Sequence, residues 1–510
     1  MNKKQRPIEI MDTTLRDGEQ TSGVSFTAAE KLTLAQLLLE ELQVDRIEIA
    51  SARVSKGEQE AVNRITSWAS DKGLLDRIEV LTFVDQGVSL DWMIASGAKV
   101  QNLLTKGSLN HLTHQLKQTP EEHFKHVADN LKEAQIKGIR SNVYLEDWSN
   151  GMRNSKDYVF AYLDHLVQQP VERILLPDTL GVLTPDETSA YLREILTRYP
   201  KTRFDFHGHN DYDLGVANVL EAVKAGVNGL HLTVNGMGER AGNAALASSI
   251  AVINDFVPEV KTRVKEKALY KVSQLVATFS GFHIPVNKPV VGANVFTQTA
   301  GIHADGDAKN NLYFNDLLPE RFGRKRSYAL GKTSGKANIL KNLSSLGITL
   351  GEEELKKVTA QVIALGDKKQ KVTLDDLPYI ISDVLGESAY AHHVKIESYV
   401  LTHAKGLQPS TTVSVRIDDQ VYEENACGDG QYDAFLNAIR KIYKQLAREL
   451  PQLIDYFVHI PPGSHSDALC ETTITWKTAT REFITRGLDS DQTVSAIKAT
   501  EKMLNQIYTA

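Results

Sequence analysis

Cysteine is scarce in this 510-residue chain: only Cys427 and Cys470 occur, far apart and in no CxxC spacing. That excludes a disulfide framework and a Cys-rich structural zinc site, and leaves two reduced thiols packed in a core as the expectation. Long apolar runs are missing too. None approaches the roughly 20 residues that span a bilayer, and the opening MNKKQRPIEIMDTTLRDGEQ passes into a strand-like stretch without the apolar region of a secretion signal. A cytoplasmic protein with no membrane partner is expected. Positive charge is not in excess either, with 58 Lys and Arg against 64 Asp and Glu, a formal net charge of −6. Nucleic acid is therefore not an expected partner, and small molecules are. Low-complexity sequence is absent.

What is present is an ordinary globular composition, 42% hydrophobic and 24% charged, in a chain long enough for about two to four domains. Short β-branched runs alternate with segments of helical period at the start of the chain. Eight candidate strands fall at 8–12, 45–50, 77–83, 99–104, 141–146, 173–178, 203–209 and 229–234. Each is followed by a helical pattern such as PEEHFKHVADNLKEAQIK, which fits an α/β fold with an N-terminal (β/α)8 TIM barrel over 1–265. Periodicity alone leaves a doubly wound sheet open. Polar and charged residues crowd the C-terminal ends of these strands, however, where a barrel builds its active site. Mostly helical linker subdomains are expected over 266–390 around a Gly- and Asn-rich stretch, and an α+β domain over 391–510. The last part reads as β-β-β-α followed by a related β-β-α.

Three constellations carry chemistry. His207-Gly208-His209 ends the seventh candidate strand, and residues two apart on a strand face the same way at about 6–7 Å, so two imidazoles can converge on one ion. Packing histidines are the alternative. Asp12 to Gln20, DTTLRDGEQ, ends the first strand and offers a carboxylate, Asp17, beside a cation, Arg16; a structural ion pair or a helix cap would use the same residues. Asn235 to Asn243, NGMGERAGN, follows the eighth strand with glycine spacing unlike a dinucleotide fingerprint. It suits close approach of backbone to a ligand beside a helix start, or a plain tight turn. Tyr144, Glu146 and Thr179 add a phenol, a carboxylate and a hydroxyl to the same rim, and His303 of GIHADG and Tyr313 lie beyond the barrel. GKT at 331–333 is no phosphate loop, because Arg326 stands where that motif needs a glycine.

In their order along the chain, DTTLRDGEQ, HGHND, NGMGERAGN, GIHADG and GDGQYDAF resemble the acyl-CoA condensing family of 2-isopropylmalate, homocitrate and citramalate synthases. The resemblance covers essentially the whole chain. Within that family, RDGEQTSGVSF, VDRIEIASARVS, NLLTKGSL, NVYLEDWSNGMRNS, LPDTLGVL and ERFGRKRSYALGK are most similar to the bacterial citramalate synthases. The resemblance implies that Asp17, His207 and His209 are ligands of a divalent metal cation, zinc, manganese or magnesium, with Asn243 beside or on the ion. It implies condensation of acetyl-CoA with pyruvate to (R)-citramalate in isoleucine biosynthesis. Arg16 would stabilise the alkoxide, Glu146 would activate acetyl-CoA or the hydrolytic water, and His303 and Tyr313 would assist from a linker reaching the partner's barrel in a homodimer. Thr179 joins the substrate-binding set.

Substrate choice turns on volume. Leu81, Leu104 and Tyr144 at strand ends would leave room for pyruvate and crowd the isopropyl group of 3-methyl-2-oxobutanoate, unless they belong to the barrel's packed layers. The C-terminal domain resembles a feedback module. Tyr432, Asp433 and Gln492 are the expected effector contacts, with Pro461 to Ser464 and Asp491 to Thr493 as turns beside them and isoleucine as the effector. A 2-isopropylmalate synthase is the nearest alternative. Lyases and carboxyltransferases of related barrel type are disfavoured by GERAGN, by the C-terminal domain and by the lack of cysteine in the barrel. A catalytically silent amino-acid sensor would be expected to lose Asp17, Glu146, His207 or His209, and all four are present.

Overall fold

The computed structural model describes residues 5–508 apart from 309–311, 346–347, 368–371, 373–376, 378–379, 382–383, 385–392, 460–469 and 480. Strands β1 (Glu9–Asp12), β2 (Arg46–Ser51), β3 (Ile78–Phe83), β4 (Val100–Lys106), β5 (Arg140–Glu146), β6 (Arg173–Asp178), β7 (Phe204–Gly208) and β8 (Gly229–Leu232) close into a parallel barrel. Closure is made by β8 lying on β1, Ile10 opposite Leu230 and Asp12 opposite Leu232. All eight expected strands are found, with ends moved by one or two residues. One of those moves matters: β7 stops at Gly208, so His209 lies just beyond the strand, bridged to Asn243.

Local sequence explains the helices that separate the strands. Thr27, Thr119 and Thr184 each open a helix with a reciprocal capping box to Glu30, Glu122 and Glu187, and Pro120 and Pro185 occupy first-turn positions where no amide hydrogen is needed. Strand alternation then sorts the side chains. Ile174, Leu176, Phe204, Phe206 and Leu230 enter the apolar core. The alternate positions, among them Arg46, Glu79, Asn102, Asn142, Asp205 and His231, are buried and polar.

The barrel interior is therefore largely a lattice of charge rather than stacked leucines. Arg46 meets Glu79 at 2.6 Å, Glu9 at 3.3 Å and also Asp205, while Arg173 meets Glu9 at 2.5 Å and Asp205 at 3.4 Å. Each cation serves more than one carboxylate, which is how buried charge is tolerated; truncating one member of such a set costs about 3–5 kcal/mol.

The chain forms two compact units, residues 1–297 with 314–327 and residues 298–313 with 328–510. In the second unit the helices Lys336–Ser345 and Glu352–Asp367 bury Ile339, Leu343, Leu355, Val358 and Val362. C-terminal to them, β9 (Val394–Thr402), β10 (Ser410–Ile417) and β11 (Gln420–Cys427) form an antiparallel sheet followed by the helix Gln431–Gln445. The motif repeats as β12 (Gln452–His459), β13 (Cys470–Lys477), β14 (Glu482–Asp489) and the helix Gln492–Tyr508. Two strands were expected in this second half, and β14 is the third. Its EFITRGLD carries Arg486 and Gly487, which read as loop residues, but a Cβ on Gly487 would stand 1.8 Å from the Ser495 carbonyl oxygen. The glycine is the point where helix meets strand. The duplication is complete.

Both cysteines are free, and Cys470 is buried as expected. Cys427 is exposed, against the expectation of a core thiol, because it ends β11, where the alternation turns it outward. No helix among the described residues is long and apolar enough to cross a membrane.

His123, on the helix Pro120–Ile136, is buried against Phe124 and Tyr162, and burial together with Lys106, His126 and His165 pushes its pKa down to about 4. A histidine held neutral in the fold contributes stability that is complete above its unfolded pKa and is lost as pH falls towards the folded value. Acidification from pH 7 to pH 4 should therefore remove up to about 3 kcal/mol through this side chain. Urea midpoints of His123→Gln should fall less steeply over that interval than those of the parent; parallel pH slopes would contradict the assignment.

Candidate active site

At the C-terminal mouth of the barrel, Asp17, His207 and His209 are all buried, and one ligand atom from each lies within 4.8 Å of the others. Three segments bring them together. Asp17 sits in a turn after β1 in which the amides of Arg16, Asp17 and Gly18 all donate to the Thr13 carbonyl, at 3.2, 2.9 and 3.1 Å. His207 is on β7, and His209 donates its amide to the Asp178 carbonyl as the chain leaves the strand. The loop after β8 supplies Asn243, whose Nδ2 donates to Asp17 Oδ1 at 3.1 Å and to the Met237 carbonyl at 2.9 Å. That loop approaches closely enough that a Cβ on Gly238, at φ +152, would fall 2.3 Å from Asn243 Nδ2 and 3.3 Å from Asp17 Oδ1.

Charge states suit a cation. Burial pushes the Asp17 carboxyl up, but the Arg16 guanidinium, with the Asn243 hydrogen bond, outweighs it and holds the group well below the usual carboxylate range. Burial lowers both histidines, His207 strongly, so both imidazoles are neutral. His207 Nδ1, His209 Nδ1 and Asn243 Oδ1 are buried without a hydrogen-bond partner. Buried polar atoms are ordinarily satisfied, and one carboxylate with two neutral imidazoles and an amide oxygen is a donor set for a divalent ion. The residues fit the group.

Arg16 does not project into solvent. Its Nη1 lies 3.0 Å from Asp17 Oδ2, its Nε donates to Glu48 Oε2 at 2.7 Å, and its Nη2 lies 2.6 Å from the same oxygen. Nη2 also faces the Tyr144 hydroxyl at 3.4 Å. Glu48, on β2, further accepts from Thr13 and from Asn102, which accepts in turn from Asn142. The Tyr144 hydroxyl is hydrogen-bonded to His231 Nδ1 at 2.8 Å, and His231 Nε2 lies 3.5 Å from Asp205. One unbroken set of polar contacts thus joins the mouth of the barrel to the charge lattice below.

Sequence reasoning missed Glu48, His231 and Asp205. A glutamate in the middle of RIEIAS reads as the solvent-facing member of an alternating strand, and only the closed barrel turns that face inward. Lys106 was missed as well: it ends β4 in direct register with Glu146 on β5, and the two form an ion pair. Glu146 is only partly buried and its carboxylate opens to the mouth.

Leu81, Tyr144 and Leu175 form a small buried cluster of their own, with Phe83 and Leu104 packed against it. Its ring end lies beside the Asp17, His207 and His209 group, the Tyr144 ring standing edge-on to His207 at 6.1 Å. Leu175 and Phe83 extend the apolar wall that the sequence assigned to three residues. The Thr179 hydroxyl accepts from the Asp147 amide at 2.9 Å, so its proton remains for a ligand oxygen.

His303 and Tyr313 belong to the second unit, where their ring centroids lie 4.2 Å apart at a tilt of 38° and His303 Nδ1 is hydrogen-bonded to Gln298 Oε1 at 3.1 Å. In the same unit Tyr432, Asp433 and Gln492 line one cavity of about 690 Å³ together with Leu453, Tyr456 and Arg440. The expected turn Pro461 to Ser464 lies outside the described residues.

Residues 7–276 match the HMGL-like family, 290–370 the homocitrate synthase post-HMGL domain-like family, and 371–508 the LeuA allosteric (dimerisation) domain. A 2-isopropylmalate synthase of Methanocaldococcus jannaschii is 33% identical over 98% of this chain and 94% of its own length. The (R)-citramalate synthase of the same organism is 32% identical over 98% and 99%, and a putative (R)-citramalate synthase of Archaeoglobus fulgidus 31% over 98% and 100%. Among solved structures, the hydroxymethylglutaryl-CoA lyase of Pseudomonas aeruginosa is similar at a TM-score of 0.47 and 20% identity, over 55% of this chain and 95% of that one. Barrel, linker and C-terminal module follow one another as in these full-length relatives, and the chain belongs to the 2-isopropylmalate and (R)-citramalate synthase family.

Proposed function

We propose that this chain condenses acetyl-CoA with pyruvate and water to give (R)-citramalate and CoA, at the head of isoleucine biosynthesis. The observation that carries the choice of pyruvate is the apolar cluster of Leu81, Phe83, Leu104, Tyr144 and Leu175, whose Tyr144 ring stands against His207 and Arg16. Tyr144 is tied at its hydroxyl and cannot swing aside cheaply, so the space beside it suits a methyl better than an isopropyl group.

Asp17, His207 and His209, with Asn243 beside them, would hold a divalent ion, which would supply the Lewis acidity that polarises the ketone of a 2-oxo acid. The rest is the work of side chains. Arg16, already fixed by Glu48 and Asp17, presents guanidinium hydrogens to the oxygen on which negative charge develops. Thr179 donates its hydroxyl proton to the substrate carboxylate. Glu146 takes a proton from the acetyl methyl group, the new carbon–carbon bond forms at the ketone carbon, and that proton is returned to the alkoxide; water then gives its hydroxyl to the thioester carbon and its proton to the departing CoA thiolate. Lys106 keeps Glu146 aimed at the mouth. His303 and Tyr313 serve the barrel of a partner subunit in a homodimer, a reading supported by the match of 371–508 to a dimerisation domain. Isoleucine binds the cavity of Tyr432, Asp433 and Gln492, with Asp433 opposite its ammonium and Leu453 and Tyr456 against its side chain.

The competing reading, 2-isopropylmalate synthesis, is the activity named for one relative at similar identity. Acetyl-CoA-dependent thiol release decides between them. Pyruvate should exceed 3-methyl-2-oxobutanoate in kcat/KM by at least about tenfold, and Leu81→Ala should narrow that ratio by roughly tenfold; a parent enzyme preferring the longer acid would overturn the assignment. Asp17→Asn should weaken Mn2+ binding, followed by calorimetric titration, by on the order of 100-fold or more, with unaltered affinity arguing for an ion elsewhere. Isoleucine should inhibit the parent and fail to inhibit Tyr432→Ala; inhibition by leucine alone would assign the module to the other pathway.

A further inference from the structure

Lys31 lies on the helix Ala28–Gln36 and is 0% exposed, an extreme rarely reached by a lysine. Four oxygens surround its ammonium: the carbonyls of Leu15 at 3.0 Å and Ile49 at 3.2 Å, Glu58 Oε1 at 2.5 Å and Glu19 Oε2 at 2.6 Å. Burying an ammonium costs several kcal/mol unless it is paired and fully hydrogen-bonded. Here it is both, by groups drawn from three separate segments. Those segments are the turn after β1, strand β2 and the helix Lys56–Asp71.

The identity of the acceptors gives the arrangement its meaning. Leu15 immediately precedes Arg16 and Asp17, and Glu19 follows two residues later, so one ammonium grips the turn on both sides of its two functional side chains. Glu19 is itself anchored, its other oxygen accepting from the Phe26 amide at 2.8 Å. Ile49 immediately follows Glu48, the carboxylate that fixes Arg16, and the register of β2 on β3 slips there: Glu48 faces Glu79, Ala50 faces Val80, and Ile49 has no partner. A bulge of this kind re-aims the neighbouring side chain. Lys31 takes the carbonyl of the residue that the bulge leaves unpaired.

We infer that Lys31 is a positioning residue for the cation and 2-oxo acid site. From behind the barrel wall it holds the backbone on which Arg16, Asp17 and Glu48 face inward, without touching a ligand itself. The inference rests on the reading that Asp17, His207 and His209 bind a divalent ion.

The test uses the full-length protein and four readouts: Mn2+ affinity by titration, KM for pyruvate, KM for acetyl-CoA, and the thermal midpoint. Lys31→Met should weaken Mn2+ binding by about tenfold or more and raise the KM for pyruvate similarly, in the range seen when groups orienting metal ligands are removed, while the KM for acetyl-CoA moves less than about twofold. Should that variant not fold, Glu19→Gln decides, because it leaves the ammonium on Leu15, Ile49 and Glu58 and frees only the far side of the turn. It should weaken Mn2+ binding by roughly threefold or more. Mn2+ affinity and pyruvate KM within twofold of the parent, in whichever variant folds, would overturn the inference whatever happens to the thermal midpoint. A parent protein that binds no Mn2+ would instead overturn the site reading on which it stands.

Discussion

Everything at the mouth of this barrel depends on one guanidinium held between two carboxylates. Arg16 is almost fully buried, and it shares its charge between Glu48 below and Asp17 beside it. Removed from water, Asp17 would otherwise take up a proton, and a protonated carboxyl is a poor ligand. Arg16 keeps it ionised, and the burial that threatens Asp17 keeps His207 and His209 neutral. Desolvation and pairing thus act in opposite directions on neighbouring groups, and their joint result is one anionic and two neutral donors. Glu48 completes the balance, since without it Arg16 and Asp17 would neutralise each other and nothing would hold the guanidinium against the β2 side of the barrel.

The constraint propagates downwards. Arg16 faces Tyr144, Tyr144 is bonded to His231, and His231 approaches Asp205, which belongs to the lattice of Arg46, Arg173, Glu9 and Glu79. A barrel interior filled with ion pairs is an expensive way to make a core, because apolar side chains of equal volume are often as stabilising. Its advantage is direction. Hydrogen-bonded charges fix rotamers that leucines leave to packing, and the Tyr144 ring is fixed in this way. Stability, substrate volume and ligand geometry consequently share residues.

Much of this was legible in the sequence. Short β-branched runs alternating with segments of helical period disclosed the eight βα units, and the HGH pair and the aspartate of RDGEQ were placed on strand ends that only a barrel brings together. The structure brings Asn243 and Tyr144 to the same site. What was not legible lay on faces whose direction depends on closure. Glu48, Glu79 and Asp205 alternate with apolar residues as solvent-facing ones would, and Lys31 sits in FTAAEKL where an amphipathic helix ordinarily places a solvated cation. Neither the bulge at Ile49 nor the register of Lys106 on Glu146 has a local signature. The third strand of the second C-terminal repeat was hidden by Gly487, a residue that reads as a breaker and acts as a contact point. The apolar cluster was underestimated for a related reason: Leu175 and Phe83 are unremarkable in sequence and join Leu81, Leu104 and Tyr144 through strand pairing alone.

On the proposed function, one divalent ion joins the turn after β1 to the end of β7 and there meets the 2-oxo acid. The most direct measurement is anomalous diffraction from crystals of the Mn2+-loaded protein grown with pyruvate. One strong peak bonded by Asp17, His207 and His209 is expected, with pyruvate lying against the Tyr144 ring and within reach of Arg16. An ion bound elsewhere in the chain, with His207 and His209 making no bond to it, would contradict the account.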